Sequence, residues 1–253
     1  MDMLRWPIWL RAIGVRWMAQ HDRSTLLSLL DQNDHAITGN PIKAKLFRSL
    51  VRSLDGEETF SLIHAGNLWG MNESRSGAGS TLEETTSLRA RLPHLLRRLA
   101  VRRLLDIPCG DFNWMQHVDL SGIEYVGADI VADIVARNAR LYTTTDRRFV
   151  HLDLLNDALP PSDAVLCRDC LVHLPLSEGV RALQRLTAGC TCYLLATTFP
   201  ALTNNEEIVR GFWRPLNLEL PPFSLPPALE LLPERNPDQR YSDKSLGVWR
   251  IDN

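Results

Sequence analysis

The sequence is poor in lysine and has neither a large excess of charge nor a long apolar segment. Of its 253 residues, 28 are Lys or Arg and 30 are Asp or Glu, which gives a net charge of −2. The sequence pI is about 6.4. This balance gives the chain as a whole no electrostatic attraction to nucleic acid or to anionic membranes. Only Lys43, Lys45 and Lys244 are lysines.

No apolar run reaches the ~20 residues that a membrane-spanning helix requires. The first 20 residues are rich in Trp and Leu, but Arg5, Arg11 and Arg16 interrupt them. No small-residue cleavage site follows, so the start does not have the pattern of a signal peptide. We therefore expect a cytoplasmic protein with no membrane partner.

The five cysteines do not indicate a metal site, because the sequence around them is apolar. Cys167-x-x-Cys170 and Cys190-x-Cys192, with His173 nearby, resemble zinc-ligand spacing. Cys167 and Cys192, however, fall in predicted strands with apolar neighbours, where a free thiol packs as a small hydrophobe. We expect no metal, and no disulfide in a cytoplasmic chain.

The most informative segment is 104–115, Leu-Leu-Asp-Ile-Pro-Cys-Gly-Asp-Phe-Asn-Trp-Met. It predicts a buried strand that ends at Asp106 and runs into a tight turn containing Gly110. Three further predicted strands are followed by an acid, at Asp129, Asp153 and Asp169. Because the carboxyl ends of parallel strands meet at one edge of a sheet, the four acids indicate a single ligand crevice.

This array resembles the class I S-adenosylmethionine (SAM) dependent methyltransferases over about residues 80–200. In the first motif Asp106 is the leading acid, Gly110 is the retained glycine, and Pro108 and Phe112 replace the other two. The resemblance implies an α/β, Rossmann-like sheet of seven strands with helices on both faces and a last antiparallel strand. The missing G-x-G-x-x-G pattern argues against a nicotinamide dehydrogenase.

The resemblance also implies SAM as the cofactor and assigns roles to single residues. Asp129 is expected to bond the ribose hydroxyls, Asp153 the adenine amine and Leu154, through its amide, the adenine ring. Asp106 and Gly110 are expected beside the methionine and ribose. The full set of expected cofactor-binding residues is Trp69, Arg75, Ser80, Asp106, Pro108, Gly110, Asp111, Trp114, Asp129, Ile130, Asp153, Leu154 and Arg168.

A Gly/Ser-rich loop spans 69–80 and precedes a predicted helix from Thr81 to about Leu99. Ser80 and Glu83 have the spacing of a capping box. Free amides at a helix start, beside Arg75, suit a carboxylate such as that of SAM. The alternative is a flexible connector.

Asp169 and His173 are the predicted catalytic residues. They are four residues apart and share a helical face if a helix begins near Asp169. This segment resembles that of ubiquinone-type O-methyltransferases and of some RNA-end methyltransferases, which hold a divalent metal through a second acid where this chain has Val172. A proton-transfer role therefore replaces metal ligation, and the alternative is a structural histidine.

The remaining segments predict a two-part organisation. Residues 1–68 are expected to form a helical cap, which is either packed passively, a lid, or a homodimer arm using Trp6, Trp9 and Trp17. Residues 69–253 are expected to form the SAM-binding domain. The long loop after the fifth strand offers Asn205, Trp213 and Arg214 as substrate-binding residues, although Trp213 alternatively anchors the loop.

Three functions follow from these features. The favoured one is methyl transfer to a small-molecule acceptor, at a hydroxyl rather than an amine. The second is a nucleic-acid methyltransferase, against which stand the acidic pI and the lack of an Asn-Pro-Pro-aromatic motif after the fourth strand. The third is a SAM-binding module without catalysis.

Overall fold

A mixed seven-stranded sheet forms the centre of the protein. The computed structural model describes residues 41–188, 192–235 and 238–251. The strands are β1 Arg103–Asp106, β2 Glu124–Asp129, β3 Arg147–His151, β4 Ala164–Cys167, β5 Tyr193–Thr198, β6 Glu230–Pro233 and β7 Ser245–Arg250. Their order in the sheet is β3-β2-β1-β4-β5-β7-β6, and among these strands only β7 runs antiparallel to its neighbours, β5 and β6.

Helices cover both faces of this sheet because its central strands are apolar on both sides. Alternate strand residues such as Leu104 and Leu105 enter two separate cores. The described α-helices are α1 Pro41–Val51, α2 Gly56–Ala65, α3 Thr86–Arg98, α4 Ala132–Tyr142 and α5 Leu176–Thr187. Helices α3 and α4 pack on the sheet face that carries Leu104, and α5 packs on the face that carries Leu105. The predicted fold class is confirmed.

Helices α1 and α2 form the described part of the predicted N-terminal cap. Asp55 and Glu58 make a capping box at the start of α2, which fixes where this helix begins. Phe47 and Ile63 pack against Phe212, in the long loop between β5 and β6. The predicted helical residues before 41, with Trp6, Trp9 and Trp17, lie outside the described residues. The domain division at residue 68 stays a prediction.

Two predicted helix starts are wrong. Helix α3 begins at Thr86 rather than at Thr81, because residues 81–85 form tight turns in which the Thr81 hydroxyl accepts from the Glu84 amide. Ser80 ends a short 3-10 turn, so the predicted capping box with Glu83 does not form. The second wrong start is at Asp169, whose φ of 49° is left-handed and cannot continue a right-handed helix.

The chain after Asp169 instead makes a single 3-10 turn, Leu171–His173, and enters α5 only at Leu176. The spacing argument that placed Asp169 and His173 on one helical face therefore does not apply. Long segments without helix or strand follow β3 and β5, at the carboxyl edge of the sheet. These loops and the cap surround the functional edge.

Candidate active site

A cavity of about 390 Å³ opens at the carboxyl ends of β1 to β4. Its volume lies within the ~300–1,000 Å³ typical of small-molecule sites. The structure brings fourteen of the predicted residues to its wall: Trp69, Arg75, Ser80, Asp106, Pro108, Gly110, Trp114, Asp129, Ile130, Asp153, Leu154, Arg168, Asp169 and His173. Asp106, Asp129 and Asp153 thus share one crevice, as the sequence predicted.

The turn after β1 is built on Gly110 and Asp129. Gly110 has a φ of 54°, and a side chain there would overlap Ser76 of the loop 69–80, called the upstream loop below. The two carboxylate oxygens of Asp129 accept the amides of Gly110 at 3.0 Å and Val131 at 2.9 Å. Each oxygen has a second lone pair, so Asp129 can still accept two hydroxyl donors from a ligand.

Two carboxylates in this cavity are costly to ionise. Burial raises the pKa of Asp129 to about 6 and that of Asp106 to about 7. The Tyr125 hydroxyl donates to Asp106 at 2.5 Å, which partly offsets the effect of burial. A ligand that donates hydrogen bonds or supplies positive charge would stabilise both carboxylates.

Hydrogen bonds hold the upstream loop against the turn that follows β1. The Asp111 carboxylate accepts the Ser74 hydroxyl at 2.9 Å and the Arg75 amide at 3.0 Å. In return the Asp111 amide donates to the Ser76 hydroxyl at 2.9 Å. Asp111 therefore holds the loop against the turn, and the structure does not place it in the wall of the cavity.

A buried network of four charges closes one end of the cavity. Lys244 lies 2.6 Å from Asp169, and Arg168 lies 3.2 Å from Asp169 and 2.5 Å from Glu234. Burial by itself would raise the pKa of Asp169, but Lys244 and Arg168 outweigh it and hold this pKa well below its usual range. Asp169 consequently stays ionised and is a weak base.

His173 is a neutral imidazole in this environment. Burial lowers its pKa to about 4. Its Nδ1 lies 3.0 Å from the Phe212 carbonyl oxygen, which can only accept, so Nδ1 carries the proton and Nε2 keeps a lone pair. The ring stacks on Trp69 with centroids 4.5 Å apart. His173 can therefore accept a hydrogen bond through Nε2.

A second cavity of about 450 Å³ adjoins the first. Four residues line both cavities: Trp69, Ser76, Asp169 and His173. Trp213 and Tyr241 give the second cavity aromatic walls, with ring centroids 5.0 Å apart. Two adjoining cavities that meet at Asp169 and His173 can place two ligands in contact.

Two predicted substrate residues lie away from both cavities. The buried Arg214 donates to the carbonyls of Glu206, Leu171 and Leu174. Asn205 donates to the carbonyls of Asn217 and Pro221. Both side chains brace the long loop, and of the three predicted substrate residues only Trp213 reaches a cavity wall.

Sequence reasoning missed Lys244 and Glu84 in the second cavity, and Phe60 and His64 of α2 in the first. Lys244 contacts Asp169 across 75 residues, and no local pattern predicts such a pair. The one signal in the sequence was the rarity of lysine, since Lys43 and Lys45 are the only others.

The cysteines of the described residues are free. Cys109 and Cys167 are buried, as expected for structural thiols, but Cys192 is exposed just before β5, so its predicted burial in that strand is wrong. Cys190 lies outside the described residues. Within the described ranges, no group of His, Cys, Asp and Glu could hold a metal ion, and no helix there is long and apolar enough to cross a membrane.

Solved structures share this architecture, whereas no protein-family model and no curated protein matches the sequence. The methyltransferase domain of bacterial-CtHen1-CN has 14% sequence identity and a TM-score of 0.50, over 66% of this chain and 100% of that one. Magnesium protoporphyrin IX methyltransferase from Synechocystis PCC 6803, solved with bound SAH, has 17% identity and a TM-score of 0.38.

The second match covers 48% of this chain, and the chain spans about 60% of the length of that enzyme. The first match covers two thirds of the chain and includes the whole of a methyltransferase domain. With its strand order and its single antiparallel strand β7, the chain has the class I SAM-dependent methyltransferase fold.

Proposed function

We propose that this protein is a SAM-dependent methyltransferase that acts on a small-molecule hydroxyl. The observation that supports it best is the pair of cavities that meet at Asp169 and His173. When bound, SAM would supply an electrophilic methyl group on a sulfonium sulfur. The residues of the first cavity fit this cofactor, because Asp129 has lone pairs left for ribose hydroxyls and the Arg75 guanidinium in the cavity wall suits the carboxylate of SAM.

The protein's part in such a reaction is alignment. The acceptor oxygen must face the methyl group in line with the bond to sulfur, and the site must exclude water. His173 Nε2 and the Asp169 carboxylate would accept a hydrogen bond from the acceptor hydroxyl. Since both are weak bases here, they would orient the hydroxyl before transfer. The oxygen becomes strongly acidic only as it gains the methyl group, and the free lone pair of His173 Nε2 would then accept its proton.

The cofactor assignment is tested by calorimetry with SAM and with S-adenosylhomocysteine (SAH). Asp129→Ala should weaken SAM binding about tenfold or more, because two ribose hydroxyls lose their acceptors, at about 1–3 kcal/mol. The matched control is Asp133→Ala, an exposed acid four residues along the chain. Unchanged affinity in Asp129→Ala would contradict the assignment, and absence of SAM binding in the wild type would contradict the proposed function.

The catalytic pair has a separate test in turnover. His173→Ala or Asp169→Ala should lower kcat by ~10²-fold, because the acceptor hydroxyl loses its alignment with the methyl group, with SAM affinity nearly unchanged. The matched control is His151→Ala, a half-exposed histidine outside both cavities. Full activity in both variants would favour an amine acceptor, which needs no hydroxyl orientation. Activity lost with a chelator and restored by magnesium would instead make Asp169 and His173 metal ligands.

The nucleic-acid and non-catalytic alternatives have distinct outcomes. A nucleic-acid enzyme would bind RNA or DNA with an affinity that falls steeply with salt. A binding module would bind SAM and transfer no methyl group to any acceptor. Cytoplasmic location and a homodimer through the N-terminal residues stay predictions.

A further inference from the structure

The residues shared by the two cavities indicate where a methyl group would change hands. Trp69, Ser76, Asp169 and His173 line both cavities, and all four are half-buried, so each keeps surface that a ligand can reach. With SAM in the first cavity and the acceptor in the second, the reacting atoms have to meet at this junction. The positively charged sulfur of SAM then lies close to these four residues.

The charged groups of the junction offer little net attraction to a cation. His173 is neutral. Asp169 is negative, but Lys244 lies 2.6 Å and Arg168 3.2 Å from its carboxylate. With Glu234, which contacts both cations, the network has two positive and two negative charges. The other kind of group that attracts a cation is the face of an aromatic ring, and tryptophan attracts it most strongly.

Trp69 is available for such a contact. The other tryptophan of the first cavity, Trp114, already has the Arg168 guanidinium over its ring at 5.2 Å. Among the described residues, no arginine or lysine lies over the ring of Trp69. Its indole nitrogen donates to the Gly211 carbonyl at 3.2 Å, and its ring stacks on His173 with centroids 4.5 Å apart. The ring is therefore held in place before a ligand binds, which lowers the entropic cost of the contact.

We propose that Trp69 distinguishes SAM from SAH, because its ring attracts the charged sulfonium of SAM and not the neutral thioether of SAH. This inference rests on the proposed function, since it takes the junction of the cavities as the place of methyl transfer. In that transfer the C–S bond breaks and its electron pair stays on sulfur, so the cofactor loses its charge. The attraction to Trp69 ends with the reaction, which favours exchange of SAH for SAM.

The test is calorimetry with SAM, SAH and sinefungin, an analogue that carries an ammonium group in place of the methyl sulfonium. The measured quantity is the Kd of SAH divided by the Kd of each charged ligand. Trp69→Leu should lower both ratios about tenfold. An effect common to all three ligands cancels in the ratio, so a purely structural role leaves it unchanged. Leucine adds no charge, so the contribution of Asp169 is also unchanged.

Trp69→Phe separates the ring from the hydrogen bond to Gly211. Both Trp69 variants lose that hydrogen bond, but phenylalanine keeps an aromatic face, so its ratios should lie between those of the wild type and Trp69→Leu. Thermal melts without ligand show whether each variant folds, and if Trp69→Leu does not fold, the decrease in Trp69→Phe decides the test.

Phe60→Leu is the matched control. Phe60 lines the first cavity and not the second, and its ring centroid lies 6.4 Å from that of Trp69. Its loss should change the affinities for SAM and SAH by the same factor.

Unchanged ratios in the Trp69 variants, or an equal decrease in Phe60→Leu, would overturn the proposal. In each of these outcomes the wild type still binds SAM and SAH. Failure of the cofactor assignment, on which the proposed function depends, is seen separately as absence of SAM and SAH binding in the wild type.

Discussion

At the scale of single residues, Asp106 combines full burial with a carboxylate in a cavity. Its pKa is raised to about 7 by burial, against about 3.9 in an unfolded chain. Between these two values the folded state binds more protons than the unfolded state. The free energy of unfolding therefore falls as pH rises through this window, and the loss is complete above pH 7.

Asp106→Asn removes this ionisation while it keeps an oxygen that accepts from Tyr125. Relative to the wild type, the variant should gain stability on going from pH 5 to pH 8, by ~2 kcal/mol, since one pKa unit corresponds to about 1.4 kcal/mol. Urea unfolding without ligand at both pH values measures this. Asp146→Asn, at an exposed position, should show no such pH-dependent gain, and an equal response of the two variants would refute the assignment.

Local sequence predicts the residues of the first cavity far better than those of the second. Asp106, Asp129 and Asp153 lie at or just beyond strand ends, so strand prediction alone places them together. Glu84 and Lys244 reach the second cavity through the turns before α3 and a position next to β7. Their meeting depends on how distant segments fold over the sheet edge, which no short-range pattern encodes.

At the scale of elements, the upstream loop links the β1 turn to the cap. Arg75 lines the first cavity, and its Nη1 lies 3.4 Å from the His64 carbonyl oxygen and 3.5 Å from that of Ala65, at the end of α2. These are long contacts on an exposed side chain, so they contribute little to stability. The guanidinium remains able to pair with an anionic ligand group.

Arg75→Ala should therefore weaken SAM binding about tenfold, because a charge-assisted hydrogen bond is lost, and leave the ligand-free melting temperature unchanged. Thermal melts with and without SAH should show a smaller ligand-induced shift in the variant. Arg140→Ala, an exposed arginine of α4, should show the wild-type shift. If both variants show the wild-type shift, the loop is a connector.

The elements themselves were predictable where a periodic apolar pattern extends over several residues. The buried runs of β1, β2, β4 and β5 meet that condition. The starts of α3 and of the segment after β4 do not, because turns over 81–85 and a left-handed backbone at Asp169 precede the helices there. Both deviations occur at the sheet edge that forms the cavities, and functional sites are where local sequence rules are expected to fail.

At the scale of the whole molecule, the sheet supplies a fixed edge and the cap and long loop enclose it. Phe47 and Ile63 of the cap pack on Phe212 of the loop, and Arg210 of the same loop pairs with Glu178 of α5 and donates to the Leu54 carbonyl. The cap, the loop and α5 are thereby joined above the cavities. Movement of one of these parts requires rearrangement of the others.

Trp69 lies between the cap and the long loop and lines both cavities. Its indole nitrogen donates to the Gly211 carbonyl of the long loop, and its ring stacks on His173. Ligands bound in the two cavities would share this ring as a common wall, so any coupling between them through the ring would act in both directions. Thermodynamic reciprocity then requires that whatever factor the first ligand applies to the affinity for the second, the second applies to the first.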